Sequence, residues 1–318
     1  MPEADILARI FPRLPASSHT LLGPGDDAAV IAAPDGRFVV TTDMMVEGPD
    51  FRLDWSTPED LGFKIGAINL ADVAAMGAKP TALVVALGAP STTDISVLEG
   101  IADGLRLACE QLAPGCGVVG GDLSSAPALT LSVTAFGDLE GRAPLPRSGA
   151  QSGDVLAVAG ELGLAGLGLD LLFNELASRP NSFPLVEAQL RPKPPIHLGV
   201  SAAKAGARAA MDVSDGLALD ASRLANASNV TLVLDVVEVA ARAAAIAPLA
   251  LAAGFTDEDV IEHVLYSGES HALLATFPPE VELPAGFYSI GRVTSRAPNP
   301  VYFGENPLQI RGWNPFSY

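Results

Sequence analysis

Hydrophobic residues along this chain form short β-branched runs that alternate with longer runs of helical spacing. In the first half of the chain, strands are predicted at residues 38–42, 82–87, 117–119 and 129–136. Helices are predicted at residues 57–76 and 96–112. The first helix begins with Thr57, a typical N-cap residue, and Pro58, which suits the first helical position. This alternation of strands and helices predicts an α/β fold.

The alternation continues in the second half, after a segment of different composition. Residues 141–153 are rich in Gly, Pro, Ser and Arg, which is typical of a linker. We therefore expect one domain at 1–140 and a second at 141–318, a division that suits the length of the chain. Beyond the linker, strands are predicted at 154–159 and 231–237, and helices at 164–176, 201–209, 217–227 and 239–255.

Composition and charge narrow the classes of function. The chain has 19 Lys and Arg against 37 Asp and Glu, and its net charge of −18 argues against binding to nucleic acid or anionic lipid. The most apolar stretch, 239–255, is interrupted by Arg242 and Pro248 and is too short to span a membrane. Cys109 and Cys116 lack metal-site spacing and suit a reducing compartment, so we expect a cytoplasmic protein.

Aspartates provide the main candidate chemistry, because most of the candidates lie where apolar segments give way to Gly-rich or polar ones. They are Asp26, Asp27, Asp43, Asp72, Asp122, Asp212 and Asp215. Carboxylates are the hard oxygen ligands that hold Mg²⁺ together with water and phosphates. A single Asp is more commonly a cap or turn residue, but the adjacent Asp26 and Asp27 would repel each other without a cation. Asp72 interrupts a helical run, where a ligand or an exposed position explains it equally well.

Other common chemistries fit the sequence less well. No Lys follows a Gly, so the Walker motif is absent, and no Ser has the Gly-x-Ser-x-Gly context of a nucleophile. The four His are scattered and none pairs with another at metal spacing. Arg147 could bind a phosphate or remain in solvent, and Trp313 could stack on a flat heterocycle or close a core.

Seven short motifs occur in the order found in the thiamine-monophosphate kinase family. They are residues 25–27 (GDD), 41–48 (TTDMMVEG), 69–78 (NLADVAAMGA), 120–122 (GGD), 147–150 (RSGA), 190–192 (LRP) and 212–217 (DVSDGL). Because these motifs are spread over almost the whole chain, the chain resembles that family.

This resemblance implies a two-domain α/β (α+β) fold like that of aminoimidazole ribonucleotide synthetase, with a homodimer formed through the N-terminal domains. It implies ATP- and Mg²⁺-dependent phosphorylation of thiamine monophosphate to thiamine diphosphate. The implied metal ligands are Asp27, Thr41, Thr42, Asp43, Asp72, Asp122, Asp212 and Asp215, with Asp26 in support. The implied ATP contacts are Gly121, Asp122, Arg147 and Ser214, and the implied substrate contacts are Asp50, Glu269 and Trp313. Among these, Asp43, Asp122 and Asp212 are the implied catalytic residues.

Such a reaction needs no general base. The acceptor is a phosphate whose second pKa is about 6, so it is largely ionised at neutral pH. We therefore expect direct in-line transfer between Mg²⁺-bound phosphates.

The chain departs from the family pattern around the expected substrate pocket. Residues 267–270 are Ser-Gly-Glu-Ser where the family usually has Gly-Gly-Glu-Asp, and Asn314 and Pro315 replace Asp and His. Asp50 replaces a His, and Pro195 replaces an Arg. Two alternatives therefore stay open: an ATP-dependent enzyme of the same superfamily with a different acceptor, and a thiamine phosphate binder without catalysis.

Overall fold

The computed structural model describes residues 9–22 and 30–313. The chain divides into two compact units, which we call the N-terminal unit (Met1–Ala74 and Ala78–Gly141) and the C-terminal unit (Ala75–Gly77 and Arg142–Tyr318). Both units combine helices with a β-sheet, as the α/β prediction requires. Within the described ranges, no helix has the length and apolar character needed to cross a bilayer.

The N-terminal unit is built on a four-stranded sheet with strand order β3-β6-β4-β5. Its elements are β1 (Thr20–Leu22), β2 (Val30–Ile31), β3 (Val39–Val46), α1 (Pro58–Ala75), β4 (Lys79–Ala89), α2 (Ile95–Leu112), β5 (Gly117–Ser125) and β6 (Thr130–Asp138). Strands β4 and β5 are parallel, and the other pairs in this sheet are antiparallel. The predicted elements of the first half are present, and β3 and β5 extend beyond the predicted ranges.

Local capping chemistry starts both long helices of this unit. The Asp60 backbone N–H donates to Thr57 Oγ1 at 3.2 Å, and the Thr57 N–H donates to Asp60 Oδ2 at 2.9 Å, which makes a reciprocal capping box. Asp94 accepts the Ser96 N–H at the start of α2 at 2.8 Å. The predicted cap at Thr57 is confirmed.

Helices α1 and α2 pack with their backbones in contact. A Cβ atom at Gly62 would lie 2.0 Å from the Ile101 carbonyl oxygen, and one at Gly104 would lie 2.0 Å from the Glu59 carbonyl oxygen. Any larger residue at either position would force the helices apart. This close approach fixes α1, and with it the polar residues that α1 presents to β3.

The two faces of the four-stranded sheet differ in their surroundings. Leu131, Val133 and Ala135 of β6 are buried on the inner face, which is the face toward α1 and α2. On the outer face, Val40 and Met44 of β3 are 54% and 61% exposed. The inner face therefore forms the core of this unit, and the outer face carries exposed apolar residues.

The C-terminal unit contains a seven-stranded mixed sheet in the order β13-β12-β9-β11-β7-β10-β8. After a short 3-10 helix (Arg147–Gly149), its elements are β7 (Val155–Ala159), α3 (Leu164–Phe173), α4 (Phe183–Leu190), α5 (Ile196–Lys204), β8 (Ala209–Val213), α6 (Leu217–Ala227), β9 (Val230–Leu234), α7 (Val236–Ala252), α8 (Asp257–Tyr266), β10 (Ala272–Phe277), β11 (Phe287–Ser295), β12 (Val301–Phe303) and β13 (Asn306–Pro307). Apolar side chains of the strands and helices form one buried cluster.

Two predictions for this unit are wrong. The helix predicted at 201–209 is instead Ile196–Lys204, and Ala209 begins β8, where it pairs with Thr276 of β10. An alanine-rich segment favours a helix by propensity, but pairing within the sheet overrides that preference. The strand predicted at 231–237 ends at Leu234, because Asp235 accepts the N–H groups of Val237 and Glu238 and caps α7.

Candidate active site

A polar cluster lies between β3 and α1 of the N-terminal unit. Thr41 and Asp43 are two residues apart on β3 and therefore point to the same face. That face is turned toward α1, where Asp72 accepts a hydrogen bond from Thr41 Oγ1 at 2.7 Å. Asp72 is half-buried rather than fully exposed, so its place inside a helix brings a carboxylate to the edge of the sheet.

Asn69 also belongs to this cluster, although no role was predicted for it from the sequence motifs. Its side chain is fully buried, with Oδ1 accepting the Asp43 N–H at 3.2 Å and Nδ2 donating to the Ile65 carbonyl at 2.9 Å. Asn69 and Asp72 are three residues apart and therefore share one face of α1. The sequence shows an amide three residues before Asp72 in a predicted helix, but its partner on β3 could be found only from the fold.

The structure does not bring Thr42 or Asp122 into this cluster. Thr42 lies on the outer face of β3, where its hydroxyl donates to the Val133 carbonyl at 3.0 Å. Asp122 lies on β5, the opposite edge strand, in register with Ala86 of β4. Three strand spacings of about 4.8 Å separate Asp43 from Asp122, roughly 14 Å in all.

Register also places the two aspartates on opposite faces. The register pairs Met44 with Ser132, Ser132 with Ala86, and Ala86 with Asp122. Asp122 therefore shares the outer face with Met44. Asp43 precedes Met44 and therefore points to the inner face. Within one chain, the carboxylates of Asp43 and Asp122 cannot bind the same ion.

Asp50 follows β3 in a tight turn. Its Oδ2 accepts the Val46 N–H at 2.8 Å, and Gly48 donates its N–H to the Phe51 carbonyl at 2.8 Å. Asp50 is exposed, and its hydrogen bond to Val46 places it about 10 Å along the strand from Asp43. The turn therefore presents a carboxylate near the end of β3, apart from the polar cluster.

An apolar cavity of about 130 Å³ lies beside Gly121 and Asp122. Its lining residues are Ile10, Phe11, Leu14, Val85, Leu87, Leu98, Ile101, Ala102, Leu105, Val118, Gly120, Gly121, Asp122 and Leu123. Gly121 is itself constrained, because a Cβ atom there would lie 2.0 Å from the Val85 carbonyl oxygen. The cavity is similar in size to apolar cavities of about 150 Å³ that bind benzene, so it can hold a flat ring.

The N-terminal segment that lines this cavity is attached to α2 by ion pairs. Arg9 pairs with Glu99, and Arg13 pairs with Asp103. The segment includes the 3-10 helix Phe11–Arg13, which places Phe11 against the cavity. One wall of the cavity therefore depends on residues before β1.

In the C-terminal unit, the loop that follows β8 carries three predicted site residues. Asp212 is buried at the end of β8, and Ser214 and Asp215 are half-buried in the loop. The loop is backed by the segment 266–271, since the Ser214 carbonyl accepts the Glu269 N–H at 2.8 Å. The structure thus brings Asp212, Ser214, Asp215 and Glu269 together.

This backing segment has an unusual conformation. Glu269 and His271 have φ values of 67° and 48°, a left-handed region that costs free energy for residues other than glycine. His271 is buried, with Nδ1 3.2 Å from Asp212 Oδ2. Ser270 donates its hydroxyl to the Val213 carbonyl at 2.9 Å, so the position where the family usually has Asp binds the β8 backbone here.

A buried acid and an arginine hold Asp215 from the side of α6. The Asp215 N–H donates to Asp220 Oδ2 at 2.9 Å, and the guanidinium of Arg223 contacts the carboxylates of both residues. Asp220 is fully buried, and this burial raises its pKa to about 6. Neither Asp220 nor Arg223 was predicted as a site residue, because each resembles an ordinary helical surface residue in the sequence.

Trp313 is attached to the same loop, whereas Arg147 is not. The Trp313 N–H donates to the Asp215 carbonyl at 3.0 Å, and the side chain is 58% exposed. Arg147 is exposed near the start of β8, where its carbonyl accepts the Ser228 hydroxyl at 2.7 Å. The length of β8, about 13 Å, separates that position from Ser214.

Asp26 and Asp27 lie outside the described residues. Among the residues that are described, no group of three or more His, Cys, Asp or Glu side chains is placed to hold a metal ion. The predicted ligands therefore form small sets: Thr41, Asp43 and Asp72 in one unit, and Asp212 with Asp215 in the other.

Comparison with known proteins covers both units. Residues 25–139 match the N-terminal domain of AIR synthase related proteins, and residues 151–301 match the C-terminal domain of the same proteins. Over 304 residues, 96% of this chain and 88% of the relative, the chain is 45% identical to the thiamine-monophosphate kinase of Mycobacterium tuberculosis.

Solved structures give the same result. The chain is similar to the crystal structure of thiamine-monophosphate kinase from Stenotrophomonas maltophilia, with a TM-score of 0.78, 30% identity and 96% of each chain covered. It is similar to a structure of AaThiL complexed with AMPPCP and TMP, with a TM-score of 0.76, 30% identity, and 98% of this chain and 94% of the other covered.

Proposed function

Since this chain belongs to the thiamine-monophosphate kinase family, we propose that it transfers the γ-phosphoryl group of ATP to thiamine monophosphate and forms thiamine diphosphate. The observation that carries this proposal is the cluster of Thr41, Asp43 and Asp72, where oxygen donors from a strand and a helix converge. The complex of a similar protein with AMPPCP and TMP supports the same pair of reactants.

The donor set of this cluster fits Mg²⁺. This ion is commonly bound by one or two carboxylates, with water and substrate phosphates completing its shell. Thr41, Asp43 and Asp72 offer two carboxylates and a hydroxyl on one face, and we assign Asp212 and Asp215 as a second acidic pair. When bound, Mg²⁺ would neutralise phosphate charge and so allow two polyanions to approach each other.

The protein's own residues have a positioning role in this reaction. The acceptor phosphate is ionised near neutral pH and needs no general base to attack the γ-phosphorus. Asn69 holds the backbone of Asp43, and Asp220 holds the backbone of Asp215. These buried contacts keep the carboxylates in place, and such preorganisation is how enzymes catalyse phosphoryl transfer without covalent chemistry.

We assign the apolar cavity beside Gly121 and Asp122 to the adenine ring of ATP. Its apolar lining suits one face of a flat ring, and its position next to a predicted ATP motif supports the assignment. Ser214 and Arg147 remain proposed contacts of ATP. Asp50, Glu269 and Trp313 remain proposed contacts of the thiamine phosphate, with the exposed Trp313 side chain available for stacking on its rings.

We also propose that the protein is a homodimer formed through the outer face of the N-terminal sheet. Val40 and Met44 are exposed there, and burial of such apolar side chains favours association. Asp43 lies on β3 and Asp122 on β5, the two edge strands of the sheet, so a second copy packed on the outer face can bring its β5 edge beside the β3 edge of this chain. Light scattering of the purified protein tests the dimer.

Subunit mixing tests the shared site. Asp43→Asn and Asp122→Asn should each lower turnover by about a hundredfold or more. If one active site draws on both chains, mixing the two inactive variants under conditions of subunit exchange should restore part of the activity. Mixtures that stay as inactive as either variant alone would contradict a site shared between chains.

Product analysis tests the reaction itself. Incubation with ATP, Mg²⁺ and thiamine monophosphate should give ADP and thiamine diphosphate, observed by phosphorus NMR, while unphosphorylated thiamine in a parallel sample stays unchanged. Asp72→Asn should abolish most turnover, whereas Asp170→Asn, which removes an exposed acid from α3, should not. Binding of thiamine monophosphate without product would favour a non-catalytic binder, and turnover only with another phosphate acceptor would favour a different enzyme of the superfamily.

A further inference from the structure

The last residues described by the structure are attached to the loop that carries Asp215. The Trp313 N–H donates to the Asp215 carbonyl at 3.0 Å. The preceding residue, Gly312, leaves no space for a side chain, since a Cβ atom there would lie 2.4 Å from the same carbonyl oxygen and 2.7 Å from Leu219 Cβ. The backbone of 312–313 therefore lies directly on this loop.

Arg311 makes a second attachment, to the end of α8. Its guanidinium carbon lies 3.8 Å from the centre of the Tyr266 ring, and its Nη2 is 2.6 Å from Glu262 Oε1. The ion pair is about half exposed on both sides and contributes little by itself. The stacked guanidinium adds a cation–π contact, which also fixes the direction of the arginine side chain.

Both attachments reach the same part of the C-terminal unit. Gly216, at the end of the Asp215 loop, has a φ of 116°, and a Cβ atom there would lie 2.5 Å from the Tyr266 carbonyl oxygen. Tyr266 therefore contacts the loop through its backbone and Arg311 through its ring. Contacts therefore hold the chain both before Gly312, at Arg311, and after it, at the Trp313 N–H, while Trp313 itself remains 58% exposed.

We propose that Arg311 is a positioning residue for the acceptor: by stacking on Tyr266 it holds Trp313 where the indole can cover the cationic heteroaromatic part of thiamine monophosphate. This proposal rests on the proposed function of Trp313 as a substrate contact. An indole face attracts a cationic ring most strongly when both are held in a fixed geometry. Arg311 itself contacts no reactant and acts through the backbone of residues 312–313.

Steady-state kinetics separate this role from a general structural one. Arg311→Ala should raise the KM for thiamine monophosphate about three- to tenfold, with the KM for ATP and kcat changed by less than about twofold. Arg311→Lys keeps a cation that can lie over Tyr266 but loses the planar stacking, so it should recover only part of the affinity. Arg242→Ala is the matched control, because Arg242 makes a similar contact, 3.9 Å from the centre of the Tyr288 ring, elsewhere in the same unit.

Tryptophan fluorescence gives a direct readout, since Trp55 and Trp313 are the two tryptophans of the chain. In a Trp55→Phe background, titration with thiamine monophosphate should quench Trp313 emission, and Arg311→Ala should weaken the apparent affinity by the same factor as the KM. Circular dichroism and the melting temperature should show that each variant is folded.

Trp313→Ala distinguishes the two possible failures. If Trp313→Ala leaves the KM for thiamine monophosphate unchanged, the substrate role of Trp313 is wrong, and the role of Arg311 is wrong with it. If Trp313→Ala raises this KM but Arg311→Ala does not, Trp313 contacts the acceptor and only the positioning role is overturned. An equal rise in Arg242→Ala would also overturn it.

Discussion

Replacing Asn69 by Ala tests whether the buried amide fixes the backbone of Asp43. The change removes the acceptor of the Asp43 N–H and the donor to the Ile65 carbonyl, at a side chain that is fully buried. Leaving the part-buried Asp43 N–H without this partner costs about 1–3 kcal/mol. We expect a loss of that size in the free energy of unfolding of the N-terminal unit.

The same magnitude predicts a local change in dynamics. At 1.4 kcal/mol per factor of ten, local opening of β3 should become about 5- to 150-fold more frequent. Amide hydrogen exchange, followed by mass spectrometry of peptides that cover β3, measures this directly. Turnover should fall about tenfold or more, because Asp43 loses the contact that fixes its backbone beside the Thr41–Asp72 pair.

Asn174 offers a matched control in the C-terminal unit. The Asn174 Nδ2 donates to the carbonyl of Asp170, four residues earlier, at 2.8 Å, which is the same bond that Asn69 makes to Ile65. Unlike Asn69, however, the Asn174 side chain is exposed. Asn174→Ala should change the free energy of unfolding by less than about 0.5 kcal/mol. Unchanged exchange in β3 together with normal turnover of Asn69→Ala would refute the reasoning.

Three further predictions concern stability. Gly104→Ala should lower the free energy of unfolding in urea by about 3 kcal/mol or more, because its Cβ would lie 2.0 Å from the Glu59 carbonyl oxygen. Gly66→Ala, whose Cβ would lie 3.0 Å from another Cβ atom, should lower it clearly less, and equal losses would contradict the close helix packing. Thr256→Ala should lower the stability of the C-terminal unit by about 1 kcal/mol in thermal unfolding, because it breaks the capping box of α8; an unchanged melting temperature would argue that this cap contributes nothing. Hydrogen bonds from the N–H and hydroxyl of Thr256 lower the pKa of Asp259 below its ordinary 3.8. The carboxylate therefore stabilises the fold above that pH, and this stabilisation is lost as the pH falls through the lowered pKa. The difference in unfolding free energy between the wild-type protein and Asp259→Asn should shrink in acid, and a difference that grew would contradict this reasoning.

Local signals in the sequence predicted much of the fold. Thr57 and Pro58 marked the start of α1, and the predicted cap is present as a reciprocal pair of hydrogen bonds. The helix predicted at 201–209 was wrong because the segment's alanines favour a helix locally, whereas Ala209 pairs with Thr276 in the sheet. Such pairing joins residues far apart in the chain, so the local pattern contains no information about it.

The candidate site was likewise predicted only in part from local signals in the sequence. The motifs indicated which aspartates to consider, and the fold brings Thr41 into hydrogen-bond contact with Asp72. They gave no indication that Asp122 lies on the opposite edge from Asp43, because the strand order β3-β6-β4-β5 differs from the order in the chain. Asn69, Asp220 and Arg311 were missed for a related reason: each acts through a partner whose proximity arises only in the folded protein.

The two ends of the described chain constrain how this protein can be engineered. Ile10, Phe11 and Leu14 line the apolar cavity, and residues 312–313 lie on the Asp215 loop, so an insertion at these positions adds mass beside a proposed binding region. The exposed connection between β10 and β11, which includes Pro279 and Glu280, is a better insertion point, since it contributes to neither region.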